Sequence, residues 1–312
     1  MTVRKGWRWT QWTIIFFAIF SQIILFFAEE TYKKTIILKR NKKLGLPPPP
    51  SPFPTPAAKI KFLITVTFIR PLHMLVTEPI VGFLSLYVGF NFSVLFCFFA
   101  AIPYTFESVY HFSTEQSGLV FLALGIGCGI AIPTVIFCDR YLYQPHVSLS
   151  HAEGRKGVVS PEYRLYPAMM GSFGLPIGLF WFAWTAKSDI SWASPAVSAI
   201  PFAWGNLAIF ICKSIPAILT DKYLTKSAAI TYLIDTYLNL NAASAVAANG
   251  FARYVLGAIF PLFTLQMYHR LGIDWATSLL GFISIALMPV PWVLFKYGRK
   301  IRSRSSYDTL KD

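Results

Sequence analysis

Pro161–Thr185 reads PEYRLYPAMMGSFGLPIGLFWFAWT, and Asn241–Gly298 reads NAASAVAANGFARYVLGAIFPLFTLQMYHRLGIDWATSLLGFISIALMPVPWVLFKYG. Both are runs of apolar, aromatic and small residues, sparing in charge, and the longer one is broken by the polar knot HRLGID at His269–Asp274. A helix that crosses a bilayer needs about 20 predominantly apolar residues, because each residue rises about 1.5 Å through a hydrocarbon core about 30 Å thick. Working outward from these stretches, windows of that kind recur at Trp12–Ala28, Pro79–Ile102, Ser117–Cys138, Pro167–Ala186, Trp192–Cys212, Ala243–Gln266 and Trp275–Phe295. The pattern predicts an all-α integral membrane protein with seven transmembrane helices. Composition agrees: 55% of residues are hydrophobic and 13% charged, about half the charged share of an ordinary soluble domain.

The formal net charge of +14 would suit a nucleic-acid binder if it were spread over a surface, but it is not. Lys33, Lys34, Lys39, Arg40, Lys42, Lys43, Lys59 and Lys61 crowd one loop, and Lys296, Arg299, Lys300, Arg302 and Arg304 follow the last apolar window. Lys and Arg close to the ends of spans mark the cytoplasmic side, and six expected spans between the clusters return the chain to one side. The acid-leaning loop Phe106–Glu115 then lies outside and the basic loop Arg140–Arg164 inside. The clusters are topology signals that can also touch anionic lipid; nucleic acid is not an expected partner.

The first window conflicts with this scheme. Arg4, Lys5 and Arg8 precede it and the larger basic cluster follows it, and both ends ask to be inside. No small-residue cleavage site follows the apolar run, which is too long for a signal peptide, so it is expected to be a retained span. The conflict leads to the expectation that further helices precede it in the full-length protein. Between the first two spans, Pro47–Pro56 (PPPPSPFPTP) is expected to be an extended, stiff spacer, with a ligand for an SH3-like partner as the other reading. Ile60–Val76 is expected to lie in the membrane interface, kinked at Pro71. Cys97, Cys128, Cys138 and Cys212 fall in or beside apolar windows without zinc or redox spacing and read as small buried hydrophobes.

An ionisable group inside a span costs about 2.5–3.5 kcal/mol on insertion scales, so each one asks for a reason. Glu78, before Pro79, is either a wet carboxylate favoured by a helix N-terminus or a gating or ion-coupling group. Asp235, in TYLIDTYL, is either a cation or proton site or one half of an interhelical hydrogen bond. Asn249 and Arg253 share a helix face and are expected to form a structural polar pair that locks neighbouring helices. Asp139–Arg140 is expected to be a cytoplasmic charge latch. Gly125, Gly127 and Gly129, and the small residues from Ala242 to Gly250, are expected to serve close helix packing. Paired carboxylates, a nucleophile with its base, HExxH and a Cys/His cluster are not found in the sequence; no enzyme activity, cofactor or metal is expected.

GWRWTQW (Gly6–Trp12), RPLHMLVTEPIVGFLSLYVGF (Arg70–Phe90), Pro161–Thr185, YLIDTYLNLNAASAVAANGFARYVLGAIFPLF (Tyr232–Phe263) and Leu271–Gly298 together resemble the major facilitator superfamily, in its fungal drug:proton antiporter branch that includes polyamine transporters. The resemblance covers well over a third of the chain, in the family's order. It places GWRWTQW at the entry to the family's sixth helix, so the chain corresponds to helix six plus the C-terminal six-helix bundle. Its partner, the N-terminal helical bundle, is expected in the full-length protein. The resemblance implies residues 1–29 as helix six, 30–77 as a basic linker with an interfacial helix, 78–298 as the bundle and 299–312 as a cytoplasmic tail. It implies alternating access, with an intramembrane carboxylate exchanging protons against drugs or cationic small molecules such as polyamines. Asp235 is the first candidate for that carboxylate and Glu78 the second, and Trp181, Tyr232 and Tyr237 are candidates for aromatic faces toward a cation. The host expected is the plasma membrane, with the vacuolar membrane as the alternative.

The chain departs from the family twice. Its seventh helix usually reads close to FFEAFP, where this chain has FFAAIP with Ala100 in place of the carboxylate. Its tenth helix should run from PFAWGNLAIFI into ITYLIDTYL, but residues 212–229 interrupt it. Cys212-Lys213-Ser214 can be encoded with a fungal-type GTAAGT splice donor, so the interruption reads as an aberrant insertion, a retained intron. These departures carry the alternative reading, an inactive transporter fragment or pseudogene product.

Overall fold

The computed structural model of the chain describes residues 6–26, 33–46, 55–154, 159–210, 228–237, 240–307 and 309. Among them the structure is helical, with one isolated antiparallel bridge, Tyr237 to Thr309. The chain divides into two units, Met1–Ile60 and Lys61–Asp312. The first holds α1 (Trp7–Phe26) and α2 (Lys33–Lys43). The apolar side chains of α1, Phe17, Phe20 and Ile24 among them, are exposed. The last turn of α2 carries Arg40, Lys42 and Lys43, cations at the end where the backbone carbonyls concentrate negative potential.

From Pro56 onward the chain is a succession of long helices: α3 (Pro56–Ile64), α4 (Arg70–Thr77), α5 (Pro79–Tyr110), α6 (Thr114–Phe137), α7 (Gln144–Ala152), α8 (Tyr166–Gly171), α9 (Gly174–Thr185), α10 (Ala193–Phe210), α11 (Ala228–Thr236), α12 (Leu240–Leu287) and α13 (Pro289–Arg302). Among the described residues six segments are long and apolar enough to cross a membrane: Ile60–Thr77, Pro79–Tyr110, Thr114–Ala152, Pro161–Thr185, Ala193–Phe210 and Asn241–Arg302. Ile60–Thr77, expected in the interface, is thus apolar and long enough for a span. The expected spans Ala243–Gln266 and Trp275–Phe295 share one helical run, bent where Gly272 takes φ 77° and ψ 165°, a backbone position that costs a residue with a Cβ strain. Trp7–Phe26 is helical as expected but is not among the six. The insertion and the proline run fall mostly outside the described residues. The helix resumes at Ala228, and Pro56 opens α3, a first-turn position where a missing N–H costs nothing.

At Pro71, where a kink is expected, a wide turn precedes the proline. Thr65–Ile69 forms a π turn in which the Arg70 N–H reaches the Thr65 carbonyl. A proline ring clashes with the carbonyl four residues back, here that of Thr67, and the wide turn sits where that clash would fall. The same device recurs ahead of Pro145, where Cys138–Tyr143 is a π turn and the Gln144 N–H reaches Asp139. Both helices run on through their prolines.

In lipid, apolar surface gains nothing by leaving one hydrocarbon for another, so helices associate through close fit and hydrogen bonds. α5 lies along α12, and α10 packs against both α6 and α9. Small residues set the close crossing of α8 and α9 with α10: a Cβ on Gly174 would stand 2.5 Å from the Pro201 carbonyl, and one on Gly205 would stand 2.6 Å from that of Gly171. Of the four glycines in α6, Gly127 alone is at such a crossing, against Ile200 and Ala203; Gly118, Gly125 and Gly129 face open space. Phe98 and Phe202 stack at 4.2 Å with planes 5° apart, joining α5 to α10. The large apolar side chains of Phe83, Leu119, Leu122, Ile126 and Leu262 are exposed.

Candidate functional site

The helices of the second unit leave two polar ends. At one end, named here for Glu78, lie the α4–α5 junction, the π turn after α6, the start of α8, the end of α11 and the end of α13. The other end carries the Gly272 bend and the α5–α6 and α9–α10 turns.

Glu78 is placed by the proline after it. A residue before proline is pushed out of the α region, and Glu78 is extended (φ −101°, ψ 107°), ending α4 and leading into α5 with Pro79 in its first turn. The side chain does not cap the helix it precedes. It turns into the bundle, 3% exposed, so the expected wet N-terminal carboxylate is instead buried. Oε2 accepts the Tyr237 hydroxyl at 2.8 Å, while Oε1 accepts the N–H and Oγ–H of Ser306 at 3.3 and 3.2 Å. Burial first, and the bond to Glu78 second, hold the Tyr237 phenol above its ordinary pKa, so it remains a donor. His73 reaches Tyr307 at 2.8 Å, tying the same C-terminal turn to α4.

A second carboxylate lies deeper than sequence reasoning anticipated. Pro161 opens a 3-10 turn that carries Glu162, 5% exposed, and Arg302 at the end of α13 is 3% exposed. Arg302 Nη1 donates to both Glu162 oxygens at 3.0 and 3.2 Å, and the Ser160 hydroxyl donates to Oε2. Gly298 makes the room: a Cβ there would stand 2.9 Å from both Glu162 Oε1 and the Tyr232 hydroxyl. Tyr232 is fully buried beside this pair, its hydroxyl without a hydrogen-bond partner among the described residues.

Asp235 accepts Arg164 Nε at 2.8 Å, with the two side chains 32% and 16% exposed. The Arg164 guanidinium also lies 4.2 Å over the Tyr143 ring. Asp235 is therefore paired with an arginine at the rim of the bundle rather than held alone within it.

Of the five transport candidates, Glu78, Asp235, Tyr232 and Tyr237 converge on one end, and Trp181 does not. Its Nε1 donates to Ser194 at 3.1 Å, beside the α9–α10 turn at the Gly272 end. Asn249 and Arg253 share a face but meet different partners. Asn249 donates to Ser85 of α5 at 3.4 Å, and Arg253 lies 5.1 Å over Phe92 and 5.9 Å over Phe210. Both reach across to neighbouring helices. Farther along α5, Asn206 donates to the Asn91 carbonyl at 2.9 Å.

Glu162, Arg164, Arg302 and Ser306 were missed. Arg302 is one of several cations in the basic tail, and charge content alone gives all of them the same topological meaning. A usable signal was the repeated junction of acid and proline, Glu78-Pro79 and Pro161-Glu162, each of which forces a helix boundary beside a carboxylate. Among the described residues no group of three or more His, Cys, Asp and Glu side chains could hold a metal. What the arrangement can do is clamp: α4, α5, the segment before α8, α11 and α13 are joined at one end by bonds that must all be exchanged for water if that end parts.

The chain is 35% identical over 98% of its length to polyamine transporter 4 of Saccharomyces cerevisiae, covering 47% of that protein. It is 37% identical over 97% of its length to the MFS-type transporter traF of Penicillium crustosum (57% of that protein) and 35% identical to the efflux pump FUB11 of Gibberella fujikuroi (50%). The chain belongs to the major facilitator superfamily. It spans about half the length of the curated relatives it matches. No protein-family model matches this MFS chain, and neither does any solved structure. The six apolar segments among its described residues and its MFS relatives make it a multi-pass membrane protein.

Proposed function

We propose that the chain is the C-terminal bundle of a proton-coupled MFS exporter, with the helix that precedes it, and that it carries drugs or cationic small molecules such as polyamines by alternating access. Similarity to a polyamine transporter and to an efflux pump along nearly the whole chain carries the reading. In this reading the seven spans are α1 and six helices of the bundle, with α10 and α11 as two pieces of one span separated by an insertion at 212–229. The Glu78 end is cytoplasmic, because Arg299, Lys300 and Arg304 close the same end and cations mark that side. The plasma membrane is the proposed host and the vacuolar membrane the alternative.

We put the two coupling candidates in the reverse order, Glu78 before Asp235, on the partners each one has. Asp235 and Glu162 each face an arginine, and protonating either would strand a cation. Among the described residues Glu78 is held by neutral donors, so a proton there removes a buried charge without parting an ion pair. Glu78 is the proposed proton carrier, and Asp235–Arg164 and Glu162–Arg302 are clamps that open in the transport cycle.

The test is uptake of radiolabelled spermidine into vesicles driven by a proton gradient. The chain alone, without the other wall of the cavity, is expected to give little. The chain co-expressed with an N-terminal MFS bundle is expected to give gradient-dependent uptake that Glu78→Gln removes. No uptake in either arm would favour the second reading, an inactive fragment, which Ala100 and the insertion support.

A further inference from the structure

A pocket of about 500 Å³ opens at the Glu78 end between α4, α5 and α13, lined by Thr77, Glu78, Tyr297, Lys300, Arg304 and Ser306 among others. Its one carboxylate is already engaged, Glu78 taking Tyr237 on one oxygen and Ser306 on the other. Its two cations are not: Lys300 and Arg304 are exposed, and among the described residues neither has an ion-pair partner. The free charge facing the opening is therefore positive. On the helices that line it, Val76 of α4 is 85% exposed, Leu72 of α4 45% and Val293 of α13 46%, and Tyr297 in the lining is half-exposed. Free cations lining an opening, with exposed apolar side chains on the helices that carry them, are what an anionic phospholipid needs: charge for the phosphate and hydrocarbon surface for the chains.

From this juxtaposition we infer that the pocket binds a phosphate group, and that its source is an anionic phospholipid of the leaflet at the Glu78 end. A soluble phosphate would use Lys300 and Arg304 but leave the flank of Val76, Leu72 and Val293 uncovered. The site does not depend on transport activity. Its bound headgroup would rest on Ser306, which itself closes over Glu78.

The test uses the purified, delipidated chain in non-ionic detergent, titrated with phosphatidylserine, phosphatidylcholine and inorganic phosphate, with binding read by native mass spectrometry. Two membrane-surface cations together are worth roughly a 10- to 30-fold change in affinity. K300Q/R304Q is expected to weaken phosphatidylserine binding by that factor, while K42Q/K43Q on α2, equal in lost charge, changes it less than about threefold. Equal loss in both double variants, or loss in neither, overturns the site. Inorganic phosphate that binds with the same dependence on Lys300 and Arg304 and displaces the lipid keeps the phosphate site and overturns the lipid source. A photoactivatable phosphatidylserine on the unaltered chain supplies a reading free of any folding defect. Crosslinks within residues 297–306 support the site, and crosslinks only elsewhere overturn it.

Discussion

The two ends of the bundle are tied in different ways. At the Glu78 end two carboxylates are at most 5% exposed and each is closed by donors from distant parts of the chain. At the Gly272 end the ion pair is Lys187–Asp274, at 4.0 Å with side chains 40% and 37% exposed. The remaining ties there include the Tyr110 hydroxyl on the carbonyls of Thr185 and Lys187, and Tyr104 against His269 at 3.3 Å. A buried pair resists separation because each partner, once alone, keeps a charge it cannot hydrate. An exposed pair has water ready to replace it. The lesson is that one end is latched by buried charge and the other merely closed by exposed contacts.

The comparison can be broken first at Arg302. Arg302→Leu should cost about 3–5 kcal/mol by stranding Glu162, seen as a large fall in the melting temperature of the detergent-purified chain. Adding Glu162→Gln should recover most of that loss; if the double variant is no better than the single, the pair is not what holds this end. Gly298→Ala comes next, at about 1–3 kcal/mol for overpacking, because its methyl would press on Glu162 and the Tyr232 hydroxyl. Tyr232→Phe should relieve part of that penalty in the same melting assay. Asp235→Asn should cost about 1 kcal/mol or less, since its pair with Arg164 is part-exposed, and added salt should shrink the difference further. Asp274→Asn at the other end should fall within about 0.5 kcal/mol of the unaltered chain. A cost there equal to that of Arg302→Leu would erase the asymmetry.

The all-helical, membrane-spanning character was legible, though not the exact set of spans, because the bilayer demands a long apolar run from each helix by itself. Pairing was not, because it joins segments far apart: Glu162 and Arg302 are 140 residues apart, and Glu78 and Ser306 are 228 apart. No local pattern around Arg302 separates it from Arg299 or Arg304, yet it alone of the three is buried. Trp181 was grouped with Tyr232 for its chemistry, but it sits 19 residues beyond Glu162. At about 1.5 Å per residue that carries it most of the way across the membrane. The π turns before Pro71 and Pro145 were equally unreadable, since proline announces a disturbance and leaves its form to the packing around it.

The reach of Ser306 back to Glu78 has a consequence in time. Ribosomes add about 5–20 residues per second, so the 228 residues between them take roughly 10–45 s to make at that rate. For that interval the carboxylate has no serine to receive it and must wait near water or under other cover while α5 is already made. The turn that seals the Glu78 carboxylate is thus made long after the acid it covers, and an insertion close behind Ser306 would be fitted at the seam.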